Sequence, residues 1–410
     1  MRSTNRAASL ALPFQGSDLR GLCRLGVDAT VGVTDLVEAM HHTIGSRAGI
    51  AGAAPTGKTS GITGLVYRSV RATTRLVGKG GDAVLGALTQ PAGTSASRPE
   101  REAMIAALNG IWGDHLVASE NPLAIAMSLR AAGRPLDLSG GGIGAQLGAP
   151  GRKLLVLVHG LCMSDLQWTR RGHDHGLALA RDLGFTPVYI HYNSGLHVSV
   201  NGRAFAALLD TLVAQWPVPV TELAIVAHSM GGLVARSACR IADDDGHAWR
   251  RQLSTLVFLG TPHEGAPMER GGNWIDTILG VSPYTAPFAR LGKVRSAGIT
   301  DLRHGSLCDE DWQQRDRFAR SRHRPQHVPL PAGVRCLAIG ATTGKAVGDA
   351  ADRLLSDGLV PLPSALGRHA DPARALAFPE AGQWIGHEMN HLDLLDRPEV
   401  YRVLRQWLAA

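Results

Sequence analysis

Ser229 stands in the stretch LAIVAHSMGGLVARSAC, Leu223 to Cys239, and its surroundings suit a nucleophile. A serine hydroxyl attacks a carbonyl only with a base to take its proton, an acid to orient that base, and donors to hold the oxyanion that forms. Leu223 to Ala227 is an uncharged apolar run, as in a strand buried on both faces of a parallel sheet. After the serine, Leu233, Val234 and Ala238 recur at helical spacing. A strand turning sharply into a helix strains the residue at the turn, so its neighbours two positions away must be small. Here they are Ala227 and Gly231, giving A-x-S-x-G. The plain alternative is an incidental serine at a strand–helix turn.

In sites built around such an elbow the chain order is serine, acid, histidine. Asp357, in SDGLVP, follows the apolar run Cys336 to Ile339 and precedes the turn residue Gly358, so it fits the acid; Asp349 and Asp352 are rivals in the same loop. The segment HEMNHLDLL offers His387 and His391. His391 is preferred because it leads into Leu394, Leu395 and a terminal helix over Glu399 to Leu408. Upstream, LLVLV (Leu154 to Val158) ends at His159-Gly160-Leu161-Cys162. A glycine directly after a central strand lets a backbone N–H turn into the site. The expected oxyanion donors are therefore the N–H groups of Leu161 and Met230, supported by His159, Gly160 and Gly231.

The elements that must position these residues alternate regularly. TPVYIH (Thr186 to His191) and LSTLVFLG (Leu253 to Gly260) read as strands, Gly202 to Trp216 as a helix, and Val334 to Ile339 as a later strand. Such alternation predicts an α/β, doubly wound, mostly parallel sheet with its site at the strands' C-terminal ends. Residues 266–331 break the rhythm and read as a cap-like insertion or a structural excursion.

The first 150 residues look different. Helices are expected over Asp18 to Thr43, Ile62 to Val77 and Arg101 to Val117, with a short helical stretch from Asn121-Pro122. In the second, Ile62, Leu65, Val66, Thr73 and Val77 share one side and Arg68, Arg71, Arg75 and Lys79 form a basic stripe. The Gly-rich run Ser139 to Pro150 reads as a joint, placing a helical region at 1–150 and the catalytic domain at 151–410. GAAPTGKT, Gly52 to Thr59, matches a phosphate-loop pattern but follows no buried strand, so nucleotide binding is not expected.

Composition is ordinary for a globular chain: 410 residues, 44% hydrophobic, 19% charged, enough for a large core. The net charge of +7 comes from scattered cations with only 5% aromatics, which argues against nucleic acid. Five unpaired-looking cysteines fit a reducing compartment, and with no secretory or membrane-spanning signal the cytoplasm is the default. His173-Asp174-His175 and His41-His42 lack the partners of a zinc motif, so neither metal nor cofactor is expected.

Leu154 to Leu161, AHSMG, FLGTPHEGAP, SDGLVP and NHLDLL together resemble α/β-hydrolase lipases and esterases, most of all the lipase-like group related to inositol deacylases of GPI anchors. The resemblance covers about Gly151 to Ala410. It implies an α/β-hydrolase fold and carboxylic-ester hydrolysis, with Ser229, Asp357 and His391 as the triad and an acyl-ester or lipid substrate. The amphipathic helices before it carry the expectation of a peripheral contact with a membrane or lipid particle.

Overall fold

The computed structural model describes residues 15–45, 59, 61–88, 99–266, 296–313, 324–349 and 356–410. The chain divides into two compact units, residues 1–95 with 118–123 and residues 96–117 with 124–410.

In the larger unit eight strands form one sheet: β1 (Ser128–Ala131), β2 (Arg134–Pro135), β3 (Lys153–Val158), β4 (Thr186–His191), β5 (Glu222–His228), β6 (Leu253–Leu259), β7 (Arg335–Thr342) and β8 (Gln383–His387). Their order is β2-β1-β4-β3-β5-β6-β7-β8. Six consecutive strands from β4 to β8 pair in parallel, and only the β1–β2 hairpin at one edge runs antiparallel. Alternate residues of the central strands feed two cores. Val156, Val158, Ile225 and Phe258 face one core with α6 (Val198–Gln215) and α7 (Met230–Asp245), through Phe205, Leu209 and Leu233. Leu155, Leu157, Val226 and Val257 face the other, with α5 (His175–Leu183) and the terminal helix Pro398–Ala409, through Leu179 and Leu404. Each such fully buried side chain contributes about 1.5–3 kcal/mol.

Three sequence expectations are corrected. Helix α3 (Pro99–Ala118) packs within the larger unit: a Cβ on Gly110 or Gly113 would overlap Cys162 or Asn193. With β1 and β2 also paired into the sheet, the division falls near residue 96 rather than at 150. No helix follows Asn121-Pro122; the chain extends into β1 and turns to β2 through Ala132 (φ 50°) and Gly133 (φ 72°). The Gly-rich joint holds the helix α4 (Gly142–Leu147), anchored by buried Ile143.

In the smaller unit α1 (Gly16–Gly45) and α2 (Gly61–Leu88) form a hairpin. A Cβ on Gly78 would lie 2.6 Å from Val27 Cγ2, so the helices approach through a glycine. Across the same seam Asp82 accepts from Arg20 and Arg24 at 2.6–2.8 Å, and buried Arg71 pairs with Asp35 and Glu38. Arg71 is thus removed from the basic stripe. No described helix is long and apolar enough to cross a membrane. Of the phosphate-loop pattern, residues 52–58 lie outside the described residues, and the Thr59 hydroxyl donates to Glu38 Oε1 at 2.8 Å. Most of the 266–331 insertion likewise lies outside; its described parts include the helix Ala297–His304 and a turn at Asp309–Asp311.

Candidate active site

Parallel registers align the C-terminal ends of β3, β5 and β6, pairing Val158 with Ala227 and Ala227 with Phe258. Ser229 follows directly, with φ 54° and ψ −126°, before α7 begins at Met230. That conformation costs about 1–3 kcal/mol for a residue with a Cβ. Its own bonds hold it: the Ser229 N–H donates to Leu259 O at 2.8 Å, and its carbonyl accepts from Gly232 N–H at 3.0 Å. The small residues around it have steric causes. A Cβ on Gly231 would lie 2.6 Å from the carbonyl oxygens of both Val158 and His159. One on Gly160 would sit 3.0 Å from Ser229 Cβ and 3.2 Å from His228 Nδ1.

His391 is buried, and its Nδ1 donates to Asp357 Oδ2 at 2.7 Å. Its backbone N–H also donates to Asp357 O at 2.9 Å. The other carboxylate oxygen, Oδ1, accepts from Leu359 N–H and Val360 N–H at 2.9 and 2.7 Å. Asp357 sits between two left-handed residues, Ser356 (φ 49°) and Gly358 (φ 94°), which bend the loop so the carboxylate faces inward. His391 Nε2 is buried without a hydrogen-bond partner among the described residues. The described rivals, Asp349 and His387, lie elsewhere. Asp349 Oδ2 staples its own loop through Lys345 and Ala346 N–H, Asp352 is outside the described residues, and His387 is exposed at the end of β8.

Two positions that sequence reading passed over shape the histidine's seat. Gly260, after β6, has φ 58°, and a Cβ there would lie 2.9 Å from His391 Cε1 and 3.0 Å from its Nδ1. His228, before the serine, donates from Nε2 to His391 O at 3.2 Å, with ring centroids 4.7 Å apart. Burial, then the neighbouring His391, pushes His228 well below the usual histidine range, so it is a neutral tether. The sequence signal was present in both cases, a glycine and a histidine beside the turns, but nothing in one chain says what they touch.

On the opposite flank, the His159 ring stacks on Tyr192 at 4.4 Å and its Nδ1 donates to Gly160 O at 2.8 Å. Burial pushes His159 down to about 3, so it too is neutral. Cys162 has φ 59°, and its N–H donates to Ser194 Oγ at 3.0 Å, fixing the loop that carries Leu161. Behind it lie Glu102, Asp165 and His191, the described cluster whose donor atoms are close enough to share a metal ion. Arg130 Nη1 already bonds Glu102 at 2.9 Å and Asp165 at 3.1 Å, so the carboxylates have their counter-charge. His173 and His175 bond each other at 2.8 Å and His175 reaches Leu394 O at 3.0 Å, bracing the His391 loop.

The sheet order, the strained serine between β5 and α7, and the Asp–His pair at the same edge define an α/β-hydrolase fold with a serine at its elbow. A family model described as the PGAP1-like alpha/beta domain matches residues 194–329, a span containing the elbow. Among solved structures, the mature lipase BlEst2 of Bacillus licheniformis is 17% identical, with 64% of this chain and 96% of that chain covered and a TM-score of 0.42. An esterase of Pyrobaculum calidifontis is 15% identical over 78% of this chain and 94% of its own, with a TM-score of 0.39. Phospholipase PlaB of Legionella pneumophila is 16% identical over 52% and 44%, with a TM-score of 0.33. Comparison with curated proteins gives no match.

Proposed function

We propose that this chain is a serine hydrolase of carboxylic esters with acyl or lipid substrates, working through an acyl-enzyme on Ser229. The observation that carries the reading is the buried His391–Asp357 bond of 2.7 Å, at the sheet edge where Ser229 is held in a strained elbow. Ser229 Oγ attacks the ester carbonyl carbon as His391 Nε2 takes its proton. Asp357 holds the Nδ1–H tautomer and offsets the charge of the imidazolium that forms. The N–H groups of Leu161 and Met230 receive the oxyanion; neither donates a backbone bond elsewhere among the described residues. Collapse restores the carbonyl and breaks the bond between the acyl carbon and the alkoxy oxygen, and the leaving alcohol takes the proton from His391. A water, deprotonated by the same nitrogen, then attacks the acyl carbon; the bond to Ser229 Oγ breaks, His391 returns the proton to Oγ, and the carboxylate leaves. Thioester hydrolysis would use the same groups, and a panel of esters and thioesters of increasing chain length ranks them.

The test is direct. The protein should hydrolyse short p-nitrophenyl esters and be labelled by a fluorophosphonate probe, and Ser229→Ala should lose both. Labelling that persists in Ser229→Ala would remove the elbow from the mechanism.

A further inference from the structure

The hairpin α1–α2 is polar within and apolar without. Its seam is made of ion pairs and a glycine contact, Arg20 and Arg24 on Asp82, Arg71 on Asp35 and Glu38, and Gly78 against Val27. The opposite side of α2 presents Leu65, Val66, Val70, Leu76, Val77 and Val84, all exposed, with Leu76 at 72% and Val77 at 69%. At 100° per residue these six fall within about 140° of arc, which they share with exposed Ser69, Thr73 and Gly80. Next to it, on the border with the seam, come Arg68, Arg75 and Lys79, all exposed. Arg75 and Lys79 line a cleft of about 340 Å³ together with Arg24, Asp28 and Asp82. Among the described residues neither Arg75 nor Lys79 is hydrogen-bonded or ion-paired.

We infer that this face of α2 docks the enzyme on an anionic lipid surface, with the apolar stripe seated among the acyl chains and Arg68, Arg75 and Lys79 at the headgroup level. An apolar stripe bordered by cations on a helix that cannot span is the pattern of an interfacial helix. Charge decides between occupants. Asp82 is the one acidic residue of α2, and it is held by Arg20 and Arg24. A second copy packed symmetrically on this face would bring two cationic borders together without acids on α2 to offset them. Anionic headgroups supply that offset. The inference does not depend on the proposed hydrolysis, and its test needs no turnover.

The full chain, and the same chain carrying Ser229→Ala, is sedimented with vesicles of phosphatidylcholine alone and of phosphatidylcholine with phosphatidylglycerol. Binding is expected only to the second kind, and it should fall with added salt. The pair Arg75→Gln and Lys79→Gln should weaken it about 30-fold, equivalent to about 1 kcal/mol for each cation near the surface. Leu76→Ser with Val77→Ser should abolish it. These side chains are exposed, so circular dichroism and the melting temperature should stay close to those of the parent chain. Absence of binding to the anionic vesicles overturns the inference, as does binding that survives both pairs of substitutions. So does a dimer in solution that Leu76→Ser with Val77→Ser converts to a monomer, which would assign the face to a second copy.

Discussion

In the sheet, Val156, Ile225, Val226 and Phe258 are wholly buried, and the polar groups among them are His–carboxylate and backbone bonds at the strand ends. In the α1–α2 hairpin the arrangement is reversed: Arg71 and Glu38 are buried, whereas Leu65, Leu76 and Val84 are exposed. The same residue types therefore carry different information in the two regions. A valine in β5 reports a core made by the chain itself, and a valine on the outer side of α2 reports an exposed apolar surface, the one the proposed lipid contact would cover. The charges differ likewise: Asp357 at the sheet edge holds the His391 ring, and those of the hairpin hold two helices together.

The sharpest way to break this comparison is at the sheet edge. His391→Ala should lower kcat by roughly 10⁴–10⁶-fold, the scale of losing a triad base. His387→Ala, exposed at the end of β8, should change it little. Asp357→Asn should follow His391→Ala, with Asp349→Asn as its control. Gly260→Ala comes next. Its new Cβ would press on the His391 ring, and displacing a catalytic group by about 1 Å costs roughly 100-fold. The loss should appear in kcat with KM nearly unchanged, because Gly260 touches the base. A Gly260→Ala enzyme with full kcat would mean that the ring's seat tolerates movement.

What the sequence made legible follows from the same contrast. The uncharged run before Ser229, the small residues Ala227 and Gly231, and the order of Ser229, Asp357 and His391 are local or sequential signals, and they sufficed to find the elbow and to nominate its partners. The β1–β2 hairpin was hidden because Ala132 occupies a left-handed position where glycine or asparagine would have announced the turn. β8 was hidden because it is short and only part-buried, so its alternation is weak. Helix α3 looked like its amphipathic predecessors until Gly110 and Gly113 were seen against the 161–163 loop and Asn193. For Arg71, a helical wheel gave its direction but not that Asp35 and Glu38 of another helix lay there.

Acid should separate the two regions by a smaller amount. His159 and His175 are each held down to about 3 by burial, against an ordinary value near 6.5. The unfolded chain therefore binds these protons first, so the larger unit is unpenalised above about pH 6.5 and loses stability as pH falls toward 3, at about 2 kcal/mol for each histidine between about pH 7 and 5. In the hairpin, Arg20 and Arg24 hold the Asp82 carboxyl well below its usual range, so this tie persists through that window. The smaller unit contains no tryptophan, so urea titrations followed by tryptophan emission at the two pH values measure the stability of the larger one. Equal midpoints at both values would show that the buried histidines protonate without unfolding.

The smallest expected effect lies at the seam of the hairpin. Asp82 binds Arg20 and Arg24 and lines the cleft that also contains Arg75 and Lys79. Asp82→Asn keeps the shape of the side chain, while the second tie, Arg71 with Asp35 and Glu38, still joins the helices. Part-exposed ion pairs of this kind contribute little to stability, so the melting temperature should move by only a few degrees, and kcat on a soluble ester should not change. Vesicle binding should respond in the opposite sense to stability. Removing one negative charge beside the cationic border should raise affinity for phosphatidylglycerol vesicles about fivefold, at about 1 kcal/mol per charge near the surface. Equal or weaker binding by Asp82→Asn would place the headgroups away from this cleft and confine any lipid contact to the apolar stripe.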